Sequence, residues 1–170
     1  MKNQKNSPKI YSEENKSSAF NRALKYLSFR IRSTKEISDY LSQKGFDEQT
    51  IAETIEKLLD LKFLNDLEFG RIWIESRQKY NGKSKYILKN ELQQKGLDKE
   101  LIDKLLGDAQ DDFEIAKQLF EKKKDKLKHL SKDEFFKKMA GFLGRKGFSY
   151  DIIKKLSMNN AERIIKILEE

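Results

Sequence analysis

Apolar residues recur along the chain at spacings of three and four, the period of helix faces, and almost no strand is expected. In "SSAFNRALKYLSFR", Phe20, Ala23, Leu24 and Leu27 share one face, with Ser17 or Ser18 placed to cap. "RSTKEISDYL" follows, where Ser33 and Glu36 have capping-box spacing, and "EQTIAETIEKLLDLKFL" then sets Ile51, Ile55, Leu58 and Leu59 on one face. A second set opens with "LNDLEFGRIWIESRQKY", capped by Asn65 or Asp66, with Phe69, Ile72, Trp73, Ser76 and Tyr80 as its stripe. "NGKSKYILKNEL" begins on an Asn81-Gly82 turn, and the short "KELIDKLL" ends near Gly107. The third set has Phe113, Ala116, Leu119 and Phe120 in "DDFEIAKQLFEKKK". In its "SKDEFFKKMAGFL", Ser131 pairs with Glu134 and the helix is expected to be about one turn longer than the one after Ser33. "AERIIKILEE" extends the last helix or forms a short one of its own.

The three sets are copies. "LSQKGFDEQTI", "LQQKGLDKELI" and "LGRKGFSYDII" place Gly45, Gly96 and Gly147 51 residues apart, and a fixed period marks tandem repeats. In each copy an apolar residue precedes the glycine by four positions, another follows it, and Asp or Ser comes next. A left-handed glycine at the end of a helix folds Phe46 back on Leu41, Leu97 on Leu92 and Phe148 on Leu143. Asp47, Asp98 and Ser149 then accept from free amides and start the next helix at once. The expected fold is all-α: three tandem three-helix repeats, in a curved, elongated arrangement because so small a unit buries little alone. The boundaries are a flexible polar tail over 1–16 and repeats over 17–62, 63–108 and 109–170, the last with a helical extension.

Composition narrows the function. Cysteine is absent from the 170 residues, which excludes disulfides and thiolate metal sites and suits a reducing cytoplasm. The opening "MKNQKNSPKIYSEENK" lacks the apolar run of a signal peptide, and no stretch approaches a membrane span. A formal charge of +8 points to an acidic partner, with solubility as the plainer explanation.

Catalytic residues are not apparent. The only histidine, His129, lies in "KKKDKLKHL", where neighbouring positive charge disfavours both metal binding and base catalysis, so a surface position is expected. Asp111-Asp112 reads as helix capping rather than as a carboxylate pair. Phosphate-cradling loops, nucleophile elbows and zinc spacings are missing, so neither an enzyme nor a cofactor is expected. Trp73 shares a face with Phe69 and Ile72, which favours core packing over base stacking.

Charge placement carries more. The helix after the first glycine turn is acidic, with Glu48, Glu53, Glu56 and Asp60 against Lys57. Duplex DNA would repel it, which argues against a helix-turn-helix reader despite the similar topology. Basic residues gather instead in the first and middle helices of each repeat, and stacking would align them as a stripe suited to a long anionic target. Arg30, Arg32, Lys83, Lys85, Lys89, Arg145 and Lys146 are the candidate contacts, chosen by charge and by position near turns. The solvated surface of a helix is the alternative for any single one of them.

In ordered pieces the chain resembles the RecX family of regulators of the RecA recombinase. The pieces are "RALKYLSFRIRSTKEISDYLSQKGF", "LNDLEFGRIWIESR", "LKNELQQKGL" and "FLGRKGF", within residues 17 to 158. Gly70 stands where the family pattern commonly has alanine, and Lys146 where it often has arginine. The resemblance implies a modular helical protein that binds the RecA filament on single-stranded DNA and mostly inhibits its extension and ATPase activity, in homologous recombination and the SOS response. It also implies possible direct DNA contact, no small-molecule substrate, no membrane and a monomer. A stand-alone basic DNA-binding module that needs no RecA is the rival reading.

Overall fold

The computed structural model describes residues 8–158, and every regular element among them is helical. The order is α1 (Pro8–Leu27), α2 (Thr34–Gln43), α3 (Glu48–Asp60), α4 (Asp66–Ser76), a single π turn (Arg77–Asn81), α5 (Lys85–Gln94), α6 (Lys99–Gly107), α7 (Asp112–Lys124), α8 (Lys132–Gly144) and α9 (150–158). This is the expected set of three three-helix repeats. "AERIIKILEE" lies outside the described residues.

The turns form as their residues dictate. Gly45, Gly96 and Gly147 take φ of 84°, 84° and 88°. Around Gly45 the Phe46 N–H donates to the Leu41 carbonyl (3.2 Å) and the Gly45 N–H to that of Ser42 (2.9 Å). Phe148 and Gly147 repeat this on Leu143 and Gly144, at 3.3 and 2.9 Å. The next helix starts on a side-chain cap each time: Asp47 accepts from Thr50 N–H (2.9 Å), Asp98 from Leu101 N–H (2.8 Å) and Ser149 from Ile152 N–H (3.4 Å). Ser33 with Glu36 and Ser131 with Glu134 form reciprocal capping boxes, and α8 spans 13 residues against 10 for α2, about one turn more.

The chain divides into two compact units, one made of the residues up to Gly70 with Gln93–Leu101, the other of Arg71–Leu92 with the residues from Ile102 on. In the first, α1 and α2 pack on α3 around Ala19, Ala23, Ile37, Leu41, Ile51, Leu58 and Leu64. In the second, α7 packs on α8 around Ile115, Ala116, Phe120, Met139, Leu143 and Phe148.

Each unit contains a joint between a middle helix and the next repeat's glycine turn, 51 residues out of phase with each other. In the first unit the Ser33 hydroxyl donates to the Lys95 carbonyl (2.7 Å), beside Gly96. The Thr34 N–H at the start of α2 donates to Asp66 (2.8 Å). In the second, the Ser84 N–H donates to the Lys146 carbonyl (3.0 Å), beside Gly147, and the Lys85 N–H donates to Asp112 (2.8 Å). Glycine is needed here twice over. A Cβ on Gly96 would stand 2.5 Å from that of Lys35, one on Gly147 would overlap Ser84 and Ile87, and one on Gly45 would meet nothing within 4 Å. Gly45 belongs to the first repeat, and among the described residues no other repeat seats on it.

Four expectations need correcting. α1 runs through Ser17 and Ser18, so neither caps it, and it reaches back into the supposed tail. Proline at the first helical position is pre-set for helix, and Lys16 pairs with Glu53 of α3. Leu59 is exposed, because Leu58 and the partly buried Ile55 already fill the inward face of α3. On α4 the buried residues are Phe69, Gly70 and Ile74 rather than Ile72 and Ser76, whose flank turns outward. Tyr80 is 75% exposed, since the π turn of Arg77–Asn81 is wider than an α turn, bonding i to i+5, and rotates it off the stripe.

Candidate nucleic-acid interface

The candidate cations fall into two classes, those already engaged and those left over. Arg30 grips Glu36 with both terminal nitrogens (2.7 and 3.2 Å), and Glu36 also receives the Lys95 ammonium (2.8 Å) and the Ser33 N–H (3.3 Å). Burial alone would push the Glu36 carboxyl up, but the bonds from Arg30, Lys95 and Ser33 together outweigh it and hold the group at about 2. The hydrogen bond to Glu36 correspondingly raises Arg30. Arg32 lies flat on Tyr26, its guanidinium carbon 3.3 Å from the ring centroid, and donates through Nε to the Tyr26 carbonyl (3.1 Å). Tyr26 in turn stacks on Tyr40 at 3.9 Å. Both arginines therefore hold the α1–α2 corner together. Lys89 is paired with Asp103 (3.0 Å).

Lys83, Lys85, Arg145 and Lys146 remain. The joint between Ser84 and Lys146 brings Lys83, Lys85 and Lys146 to one place, and Arg145 precedes them on the same turn, exposed. The Lys146 ammonium donates to the Asn81 carbonyl and sits 5.5 Å from the Phe142 ring, whose other visitor is the Lys123 ammonium at 5.3 Å. Burial, and then the charge of Lys83, lowers the proton affinity of Lys146. Among the described residues no carboxylate forms an ion pair with any of Lys83, Lys85, Lys123, Arg145 or Lys146.

Trp73 is half-buried, not core. Its indole N–H donates to Glu91 (2.8 Å), and Arg77 both pairs with Glu91 (3.2 Å) and covers the indole at 4.3 Å. Periodicity pointed to the apolar body of this residue and gave no sign of Glu91, which lies on another helix. Tyr86, the last aromatic of "RIWIESRQKYNGKSKY", is 66% exposed rather than core. Its place in the first turn of α5, ahead of the buried Leu88 and Leu92, was the available signal. His129 is exposed. No helix among the described residues is long and apolar enough to cross a membrane.

Three family models match in chain order: the first three-helix domain of RecX over residues 19–58, the second over 65–106 and the third over 110–156. The chain belongs to the RecX family. Regulatory protein RecX of Bacillus subtilis strain 168 is 41% identical over 145 residues, covering 84% of this chain and 54% of that protein. The RecX of Amycolatopsis mediterranei strain U-32 is 33% identical over 135 residues, covering 76% of this chain and 77% of its own length. The crystal structure of RecX from Lactobacillus salivarius superposes with a TM-score of 0.76 at 31% identity, covering 86% of this chain and 97% of that one. This RecX-family chain spans about half the length of the Bacillus relatives it matches. The joints between Ser33 and Lys95, and between Ser84 and Lys146, fall across the boundaries between successive RecX domains.

Proposed function

We propose that the chain regulates the RecA recombinase by binding its filament on single-stranded DNA and restraining filament extension and ATP turnover. The match of all three RecX domains in order carries this reading, since it places the chain among proteins named as regulators. The lysines gathered at Lys83, Lys85 and Lys146, with no ion-paired carboxylate among the described residues, support it, because a nucleoprotein filament is a long anionic surface. Arg145 extends that patch. Arg30 and Arg32 contribute shape rather than charge, since Glu36 and Tyr26 already occupy them. The protein acts as a monomer in the cytoplasm, with no cofactor, no small-molecule substrate and no chemistry of its own. Adding the purified chain to RecA turning over ATP on single-stranded DNA tests this: hydrolysis is expected to decay with time, and an unchanged rate across a range of chain concentrations refutes it.

The second reading, a stand-alone DNA-binding module, draws on the same unpaired lysines, which would attract phosphates whether or not RecA is present. It predicts equal affinity for bare and RecA-coated DNA.

A further inference from the structure

The two joints are built alike and charged differently. At the first, Glu36 gathers Arg30, Lys95 and the Ser33 N–H, so both cations beside the turn are paired inside the protein with one shared carboxylate. One period of 51 residues later, Lys83 stands for Arg32, Ser84 for Ser33, Lys146 for Lys95, and Ile87 for Glu36. The counter-ion has become a hydrocarbon, and Ile87 packs against Gly147. The Lys146 ammonium donates to a neutral carbonyl, that of Asn81, while Lys123 shares the Phe142 ring beside it.

Asp112 is the acid on this side, and it is occupied. It accepts the Lys85 N–H as Asp66 accepts that of Thr34, and burial raises its proton affinity. Lys83 and Lys146 repel each other and, among the described residues, no carboxylate is ion-paired with either, so a ligand that brings negative charge would be bound with that repulsion relieved.

Aromatic rings complete the surface. Tyr80 and Tyr86 bracket Lys83 and Lys85 in the chain and are 75% and 66% exposed, and the Lys79 ammonium lies 5.5 Å from the Tyr80 ring. A cation beside an exposed ring, as at Lys79 and Tyr80, suits a strand whose phosphates and bases are both accessible. A duplex offers the phosphates but keeps its bases stacked on each other.

We propose that the second joint is a binding site for single-stranded nucleic acid, in which Lys83, Lys85 and Lys146 take phosphodiester groups and Tyr80 and Tyr86 stack on unpaired bases. At the first joint Arg30 and Lys95 are tied to Glu36 and serve the fold. The site deepens the filament reading, on which it rests for the presence of a single strand, but the contact itself needs no recombinase.

The test uses the full chain and a fluorescent oligothymidylate, with anisotropy followed across a salt series. Replacing the three cations (Lys83→Gln, Lys85→Gln, Lys146→Gln) lowers the slope of log K against log salt by about 2, the value for three phosphates of a single strand. Tyr86→Ala weakens binding about tenfold at fixed salt with the slope kept. Ile87→Glu, which restores the counter-charge present at the first joint, weakens binding, and Ile87→Gln does so much less. If the triple variant fails to melt cooperatively, Tyr86→Ala and the Ile87 pair carry the test. An unchanged slope in a folded triple variant, equal competition by a duplex of the same length, or no binding by the native chain overturns the proposal. RecA-dependent ATP turnover is measured separately on the native chain: its failure to fall sinks the filament reading and leaves the oligonucleotide result standing on its own.

Discussion

Glu36 is the hinge of the first joint, and removing its charge has a calculable effect. Its side chain is 14% exposed and holds Arg30 and Lys95, which are 44% and 26% exposed. Because both cations reach solvent, screening reduces the worth of the two pairs to roughly 1–2 kcal/mol together. Gln keeps the size and the bond accepted from the Ser33 N–H, so Glu36→Gln loses only that part. Glu36→Ala also opens the capping box, worth about 1 kcal/mol more. For a chain of this length 1 kcal/mol moves Tm by about 2–4 °C, so Gln is expected to lower it by roughly 3–6 °C at pH 7 and Ala by a few degrees more. The pH dependence follows from the direction of the shift. A carboxyl held at about 2 when folded and near 4.3 when unfolded adds stability that is fully present above about pH 5. That stability is lost as pH falls through the folded value, so native and Gln proteins converge near pH 2. Urea unfolding at pH 7, 4 and 2.5 measures this, followed by the near-ultraviolet signal of the stacked Tyr26 and Tyr40 in the same unit, with Trp73 fluorescence reporting the other unit. Equal stability at pH 7, or a gap that persists unchanged to pH 2, would refute the reasoning.

Three further outcomes are expected. Gly45→Ala costs about 1–2 kcal/mol, the strain of a left-handed residue, whereas Gly147→Ala costs clearly more because its Cβ overlaps Ser84 and Ile87; paired thermal melts would show no difference if the joint were not seated on the turn. Ser33→Ala lowers stability by about 1–2 kcal/mol through the lost cap and the lost bond to the Lys95 carbonyl, and amide hydrogen exchange should rise at the start of α2 and in the Lys95–Gly96 turn together. Reversing Lys85 and Lys89 to Glu weakens restraint of RecA ATP turnover while the melting temperature moves little, since the only pair lost is the exposed one between Lys89 and Asp103; full restraint by the variant removes that patch from the interface.

The repeat itself was legible because it depends on local chemistry. A left-handed glycine, an apolar residue on each side and an Asp or Ser cap act within a few residues, and the folded turns obey that grammar closely. Contacts across long separations were not legible. Nothing about Lys95 or Glu91 in the linear order announces a partner at Glu36 or Trp73, so Arg30 looked available and Trp73 looked like core. The start of α1 was missed because two serines resemble a cap wherever they stand, while the decisive proline lies further back. Tyr80 was misplaced because a stripe extrapolated at 3.6 residues per turn does not anticipate a π turn. The basic positions were visible from composition, but which of them are neutralised depends on where the carboxylates fold.

The central claim is recognition of a RecA filament rather than of DNA alone. The most direct measurement is the affinity of the purified chain, at near-physiological salt, for one oligonucleotide free and coated with RecA and ATP. Clearly tighter binding to the coated strand, retaining part of its strength as salt rises, is the predicted result. Equal affinity for the two, falling together with salt, would contradict it and leave a nucleic-acid-binding module.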